Sequence, residues 1–255
     1  MTRLQRERWA PWLLLAVVIL VWEAACRGFG ISEFIFPSPS RIATQLIEFR
    51  GVIAGHAWRT FWVTMVGFGL SIVVGTLLGF VVGSSRLAYA AMYPLMTGFN
   101  AVPKAAFVPI LVVWFGIGIG PAVLTAFLIS FFPITVNIAT GLATIEPELE
   151  DVLRVLGARR WDVLVKICLP RSMPYFYASL KVAITLAFVG TTVSEMTAAN
   201  EGIGYLLISA GSSMQMGLAF AGLVVIGVMA MIMYELFAVL EKRTTAWAHR
   251  SAGGA

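Results

Sequence analysis

The residues able to do chemistry are scarce, and most of them crowd into one segment. The stretch IEPELEDVLRVLGARRWDVLVKICLP, from Ile145 to Pro170, holds Glu146, Glu148, Glu150, Asp151, Arg154, Arg159, Arg160, Asp162 and Lys166. Elsewhere the ionisable groups stand singly, among them Glu23, Lys104, Lys181, Glu195 and Glu235. No paired acids at a common depth, HExxH helix or GxSxG turn is present, so nothing assembles a hydrolytic site. A GxxxxGK[ST] loop that would cradle ATP phosphates is also missing, and no cofactor is expected on this chain. His56 and His249 fall near opposite membrane boundaries, too far apart to share a metal, and no metal is expected.

The elements that position these residues follow from composition. Of 255 residues, 59% are hydrophobic and 12% charged, with a mean hydropathy of +0.88, against about 25% charged in soluble domains. A helix needs about 20 apolar residues to cross a bilayer, and several runs reach that length. They read roughly as Trp9 to Cys26, Phe61 to Val82, Ala91 to Gly118, Ala122 to Ala143, Met173 to Met196 and Leu218 to Leu240. These runs are continuously apolar and do not alternate, which excludes a closed barrel. The fold class expected is all-α: a polytopic membrane protein with about six transmembrane helices. The basic N-terminus precedes an apolar run longer than a signal-peptide core, so the first span is read as retained. Between the first two spans, PSPSRIATQLIEFRGVIAGHAW shows helical spacing at Ile42, Leu46, Ile47 and Ile53 and is read as a helix lying along the surface.

Short cytoplasmic loops hold the excess of Lys and Arg. With both termini inside, the inner segments carry Arg3, Arg6, Arg8, Arg86, Arg154, Arg159, Arg160, Lys166, Arg171, Lys242, Arg243 and Arg250, twelve of the eighteen basic residues. That topology explains the net charge of +5 without nucleic acid. It places the charged stretch in the cytoplasm and TAANEGIGYLLISAGSSMQMG outside. It also separates Cys26 from Cys168 across the bilayer, so no disulfide is expected.

Inside the charged stretch, Leu149, Val152, Leu153 and Leu156 recur at helical spacing, and Gly157 then interrupts them. A second short helix can carry Trp161, Leu164 and Val165 until Leu169-Pro170 ends it. Two amphipathic helices meeting at a glycine elbow would leave an apolar stripe wet, which suggests docking to a soluble protein. Four further features concern the spans. The third contains Pro94, Pro103 and Pro109, so it is read as a broken, interior span with Lys104 in the break. Lys181 lies about 12 Å into the fifth span, as a pathway charge or a snorkel toward the inner surface. Glu195 stands at that span's outer end, as a gating group or a hydrated acid. Gly75, Gly79 and Gly83 share one face of the second span, where backbones can approach closely.

The charged stretch resembles the cytoplasmic EAA loop of the inner-membrane permease subunits of bacterial ABC importers, which have an acid, a Gly six positions later and then Ile-x-Leu-Pro. Asp151, Gly157, Ile167, Leu169 and Pro170 match that spacing, while Asp151-Val152-Leu153 stands where the family has Glu-Ala-Ala. FPSPSRI, VPKAAFVPILVVWFGIG, LPRSMPYFYASLKVA and SEMTAANEGIGYLL look like the nitrate, sulfonate and taurine branch.

The resemblance implies a MetI-like fold with a cytoplasmic coupling-helix loop, in which Asp151, Val152, Leu153, Leu156, Gly157, Ile167, Leu169 and Pro170 dock a partner. It implies two permease copies forming a pathway, ATP bound by a cytoplasmic ATPase subunit, and a periplasmic solute-binding protein delivering cargo such as nitrate, sulfonates, taurine, a thiamine precursor or riboflavin. Pro103, Lys104, Lys181 and Glu195 are the candidate pathway residues. Residues 1–56 read as the first span and a periplasmic surface helix. Residues 57–245 read as the permease core with the loop at 144–171, and residues 246–255 as a cytoplasmic tail. A secondary transporter or channel subunit without an ATPase is the alternative; it would show internal repeats, and none is evident.

Overall fold

The computed structural model of the protein describes residues 3–144 and 168–245, together with Val155, Gly157, Asp162 and Lys166. Asp151, Val152, Leu153, Leu156 and Ile167 of the expected docking loop lie outside the described residues, as do the tail 246–255 and His249.

Local sequence sets the helix ends. The first helix, α1 (Arg3–Gly28), runs through the N-terminal apolar stretch. Ser38 caps α2 (Pro39–Glu48) by accepting from the Arg41 N–H, with Pro39 at the first turn where its missing donor costs nothing. The chain then enters α3 (Arg50–Gly83), so Ile53, read from the sequence as part of the surface helix, belongs to the spanning helix. The interruption expected near Trp58 does not occur, because no Pro lies between residues 50 and 83 and each backbone donor finds its i−4 carbonyl. At 34 residues, α3 extends about 51 Å, longer than a bilayer core needs. The division at residue 56 therefore falls inside this helix.

Among the described residues, five helices are long and apolar enough to cross a membrane, or six when one bent pair is taken as a single span. The bent pair is the third expected span. It consists of α4 (Arg86–Ala101), a 3₁₀ turn at Lys104–Phe107 and α5 (Val108–Phe115), with a bend of 70°. Pro103 and Pro109 explain the break. The interior position expected for this span is not found within the chain: α4 has no buried residue, and α5 buries Val108 and Leu111. Packing against α3 and α6 covers one flank of α4, and no other described element of the chain covers the rest.

After Gly118, α6 (Ile119–Ala143) occupies the centre, with α3 along one side and α7 (Leu169–Ala198) along the other. Leu169-Pro170 opens α7, with the proline in its first turn. A ten-residue helix, α8 (Ile203–Ser212), lies in the outer segment where no element was expected, and α9 (Met216–Thr244) follows. Two apolar clusters result. One joins Phe68, Ala126, Ile134, Ile138, Ile184 and Phe188 of α3, α6 and α7. The other joins Ile42, Ile53, Ile203, Leu206, Leu218 and Ala221 of α2, α3, α8 and α9.

The glycine face of α3 is the seam that makes the first cluster possible. A Cβ at Gly67 would lie 2.7 Å from Ala126 Cβ, and one at Gly79 would lie 2.7 Å from Ile138 Cβ. Between them, the Ser71 and Ser130 hydroxyls share a hydrogen bond of 2.6 Å. From the other side, a Cβ at Gly190 of α7 would reach the Ala126 backbone at 3.0 Å. We expect Gly79→Leu to force α3 off α6 and cost about 1–3 kcal/mol or more, lowering the thermal midpoint of the detergent-solubilised protein. Leu78→Ala, one residue away and part-exposed, should lower it far less; equal midpoints for the two variants would refute the seam.

Candidate functional site

Three polar sites lie along the spans. At the C-terminal end of α7, Glu195 is only 2% exposed, and no cation pairs with its carboxylate among the described residues. It is held by neutral donors. The Thr60 hydroxyl donates to it at 2.8 and 3.0 Å, and the Gly204 N–H donates at 3.0 Å. Thr60 Oγ1 in turn accepts the Ile203 N–H at 2.8 Å, and His56 Nδ1 accepts the Gly202 N–H at 3.1 Å. The first amides of α8 are thus capped from outside by side chains of α3 and α7, and its positive end faces the carboxylate. Gly202 adopts φ +102, and a Cβ on either Gly202 or Gly204 would collide with Glu195. Below this knot, Thr64 donates to the Thr60 carbonyl at 2.7 Å, and its Oγ1 lies 2.9 Å from Thr191 Oγ1, continuing the link between α3 and α7.

Beside the knot is a cavity of about 240 Å³, lined by Arg59, Ile117, Gly118, Glu195, Asn200 and Glu201. Arg59 Nε lies 3.3 Å from Glu201 Oε2 at its rim, both side chains being solvent-exposed. Such an exposed pair contributes little stability, about 0–1 kcal/mol, so it can open without unfolding its surroundings.

At the break in the third span, Lys104 is buried. Its ammonium donates to the Asn100 carbonyl at 3.0 Å and to Asn100 Oδ1 at 2.8 Å, closing the C-terminal turn of α4. The rings of Phe99 and Phe132 lie 5.8 and 5.7 Å away. No acid pairs with it among the described residues.

Nearer the N-terminal end of α7, Lys181 Nζ meets Glu241 Oε2 of α9 at 2.6 Å, with both side chains largely buried and the Tyr234 ring 5.9 Å away. The charge read from the sequence as a snorkel or a pathway group is thus placed in an ion pair joining α7 to α9. Glu235 is exposed on α9. Glu23 caps a second short helix, accepting from the Ser40 N–H at 2.9 Å at the start of α2 and from Arg27 at 2.6 Å. Cys26 and Cys168 are both buried. Of the expected docking loop, Gly157 has φ +82 with no described atom within 4 Å of where a Cβ would go, Val155 is 87% exposed, and Asp162 pairs with Lys166 at 3.2 Å.

The four candidate pathway residues therefore do not converge. Glu195 sits at the outer knot, Pro103 and Lys104 at the break, and Lys181 at the inner pair. Sequence reasoning missed Thr60, His56 and Thr64. Their signal was Thr60 and Thr64 one turn apart on an apolar helix, together with the GIG of α8, and it pairs residues 143 positions apart.

Residues 71–246 match the family model described as "Binding-protein-dependent transport system inner membrane component". The chain belongs to this family. It is 33% identical over 196 residues to the formylaminopyrimidine transport permease protein ThiX of Halalkalibacterium halodurans, covering 76% of this chain and 78% of that one. With the putative aliphatic sulfonates transport permease protein SsuC of Bacillus subtilis it shares 26% over 253 residues, covering 98% and 91%. With the taurine transport system permease protein TauC of Escherichia coli it shares 26%, covering 91% and 87%. Among solved structures, the inward-facing MetNI methionine ABC transporter superposes with a TM-score of 0.68 at 17% identity, over 78% of this chain and 98% of that chain. The fold is therefore the all-α permease fold, and the protein is a permease component of an ABC import system for a small solute.

The knot carries a prediction of its own. Removing the carboxylate leaves the Gly204 N–H and the Thr60 hydroxyl buried without their acceptor, at about 1–3 kcal/mol per orphaned group. Glu195→Ala and Thr60→Val should each lower the thermal midpoint. The double variant should lower it by less than their sum, because both remove the same bonds. Additive losses would show that the two side chains act separately.

Proposed function

We propose that two copies of this permease form the translocation pathway and that cytoplasmic ATPase subunits drive it by docking at the loop 144–171. A solute-binding protein delivers cargo from outside, and both termini are cytoplasmic in the bacterial inner membrane. The observation that carries this reading is the broken third span. At membrane depth a 70° bend beside a buried lysine is tolerated only where protein or water covers it, and the described elements of the chain cover only one flank of α4. A second copy across a water-filled path supplies both.

ATP binds to the partner and not to this chain. Closure of the ATPase pair would move the docked loop and, through the start of α7 at Leu169-Pro170, the helix that carries Lys181 and Glu195. Inner and outer ends of the path are then coupled by one rigid element. Relatives of similar identity are named for formylaminopyrimidine, riboflavin, taurine, sulfonates and nitrate, so overall identity does not select the cargo. It is a small polar solute of the nitrate, sulfonate or taurine type, or a heteroaromatic such as a thiamine precursor or riboflavin. With Lys181 paired to Glu241, Lys104 is the basic pathway candidate left to act on the cargo's charge.

Purification of the tagged permease from membranes should recover an ATPase subunit, and recovery of the permease alone with intact solute uptake would overturn the reading. The docking loop is tested at Gly157. At φ +82 an L-residue such as Val costs about 1–2 kcal/mol, a factor of about 5–30 in an equilibrium. Asn tolerates this conformation. We expect Gly157→Val to lose ATPase recovery and coupled uptake while Gly157→Asn retains both; full recovery with Val would remove the elbow from the docking surface.

A further inference from the structure

The uncovered helix α4 is not uniform around its circumference. Tyr89, Tyr93, Thr97 and Asn100 follow one another at intervals of four, four and three residues, which puts them on one flank over about 16 Å, and Lys104 lies at the end of that line. The opposite flank is Leu87, Ala91, Leu95 and Gly98. Tyr89 and Tyr93 stack with ring centroids 5.0 Å apart, and the Tyr89 hydroxyl reaches Thr140 Oγ1 of α6 at 3.4 Å. Thr97 bonds back to the Tyr93 carbonyl at 2.9 Å. The Tyr93 hydroxyl and the Asn100 amide N–H groups have no partner among the described residues. Facing hydrocarbon, they would go unsatisfied at a cost of several kcal/mol each.

The groups left over on this flank are an amide NH₂ and one ammonium N–H, which only donate, and a phenol O–H, which donates or accepts. An ammonium has three donors and no acceptor; Asn100 takes two of those of Lys104. No carboxylate pairs with that charge among the described residues. A donor-rich line ending at an unpaired cation is complementary to a group that only accepts.

We propose that the flank Tyr89–Tyr93–Thr97–Asn100, ending at Lys104, is the water-filled lane along which this permease passes its cargo, and that it takes a solute with an oxyanion head group. This rests on the reading of the chain as a solute pathway and goes beyond it in naming the face and the chemistry. The head group would accept from the ammonium at the break and compete with Asn100 for it. Lys104 is then both the clasp on the bend and the group that reads the charge.

The test needs no knowledge of the natural cargo. In membrane vesicles holding the permease with its ATPase subunits, and in a Cys26→Ala, Cys168→Ala background, single cysteines are placed at Thr97 on the lane and Leu95 on the opposite flank. Each is reacted with a sulfonatoethyl and with a trimethylammonioethyl methanethiosulfonate in every nucleotide state. We expect Thr97→Cys to react in at least one state, and about tenfold faster with the sulfonate reagent, a preference of the size one nearby charge produces. Leu95→Cys should stay unlabelled. Lys104→Gln, added to Thr97→Cys, should abolish the preference without abolishing labelling. No labelling at Thr97 in any state with Tyr93→Cys equally silent, equal labelling at Leu95, or a sulfonate preference that survives Lys104→Gln would each overturn the proposal. ATPase recovery from the same vesicles separates this outcome from failure of the transport reading, since the complex can assemble while the lane stays dry.

Discussion

The approach of α3 to α6 is the contact from which the rest of this molecule is hung. Lipid chains are as apolar as leucine, so burial against another helix gains little over burial in lipid, and association depends on how closely two backbones can pack. Gly67, Gly75 and Gly79 remove the side chains that would hold α3 away, and Ala126, Ile134 and Ile138 of α6 fill the space. Gly190 lets α7 do the same from the far side. Three long helices are thereby locked, and α4, α5 and α9 are arranged around a centre that has little room to shift.

The polar groups of the spans are settled in relation to that centre. Ser71 and Ser130 bond across the first pair of helices, and Thr64 and Thr191 link α3 to α7. At the outer end two acids on long helices act alike, Glu23 capping α2 and Glu195 capping α8. Acids at helix N-termini neutralise orphan amides and the helix dipole together, so the short outer helices are fastened to the long ones. At the inner end Lys181 and Glu241 cancel one another. Lys104 is a buried cation clasped by neutral partners at the bend, as Glu195 is a buried carboxylate held by neutral donors.

Legibility in the sequence followed the range of the interaction. Long apolar runs, the prolines of the third span and the glycine spacing of the second are local signals, and each corresponds to a feature of the fold. Ile53 reads as part of the surface helix because its periodicity is continuous with Ile42 and Leu46, and periodicity alone does not record the break at Phe49. The α8 helix is hidden because ten residues rich in Gly and Ser look like a loop until Thr60 and Glu195 supply its N-cap. The interior position inferred for α4 rests on its prolines, which record a break in the backbone but not what packs around it.

Residues close together in the chain were enough to assign the class of the molecule and its family, through hydrophobic length and the order of the motifs. They were not enough to say what the isolated charges do, which depends on the packing of distant helices. Whether Lys181 lines a path or pairs depends on Glu241, sixty residues away. Whether Glu195 is hydrated or buried depends on Thr60, 135 residues away. A side chain's environment in a membrane is set by the neighbours that replace water. Those neighbours are named by folding and not by spacing along the chain.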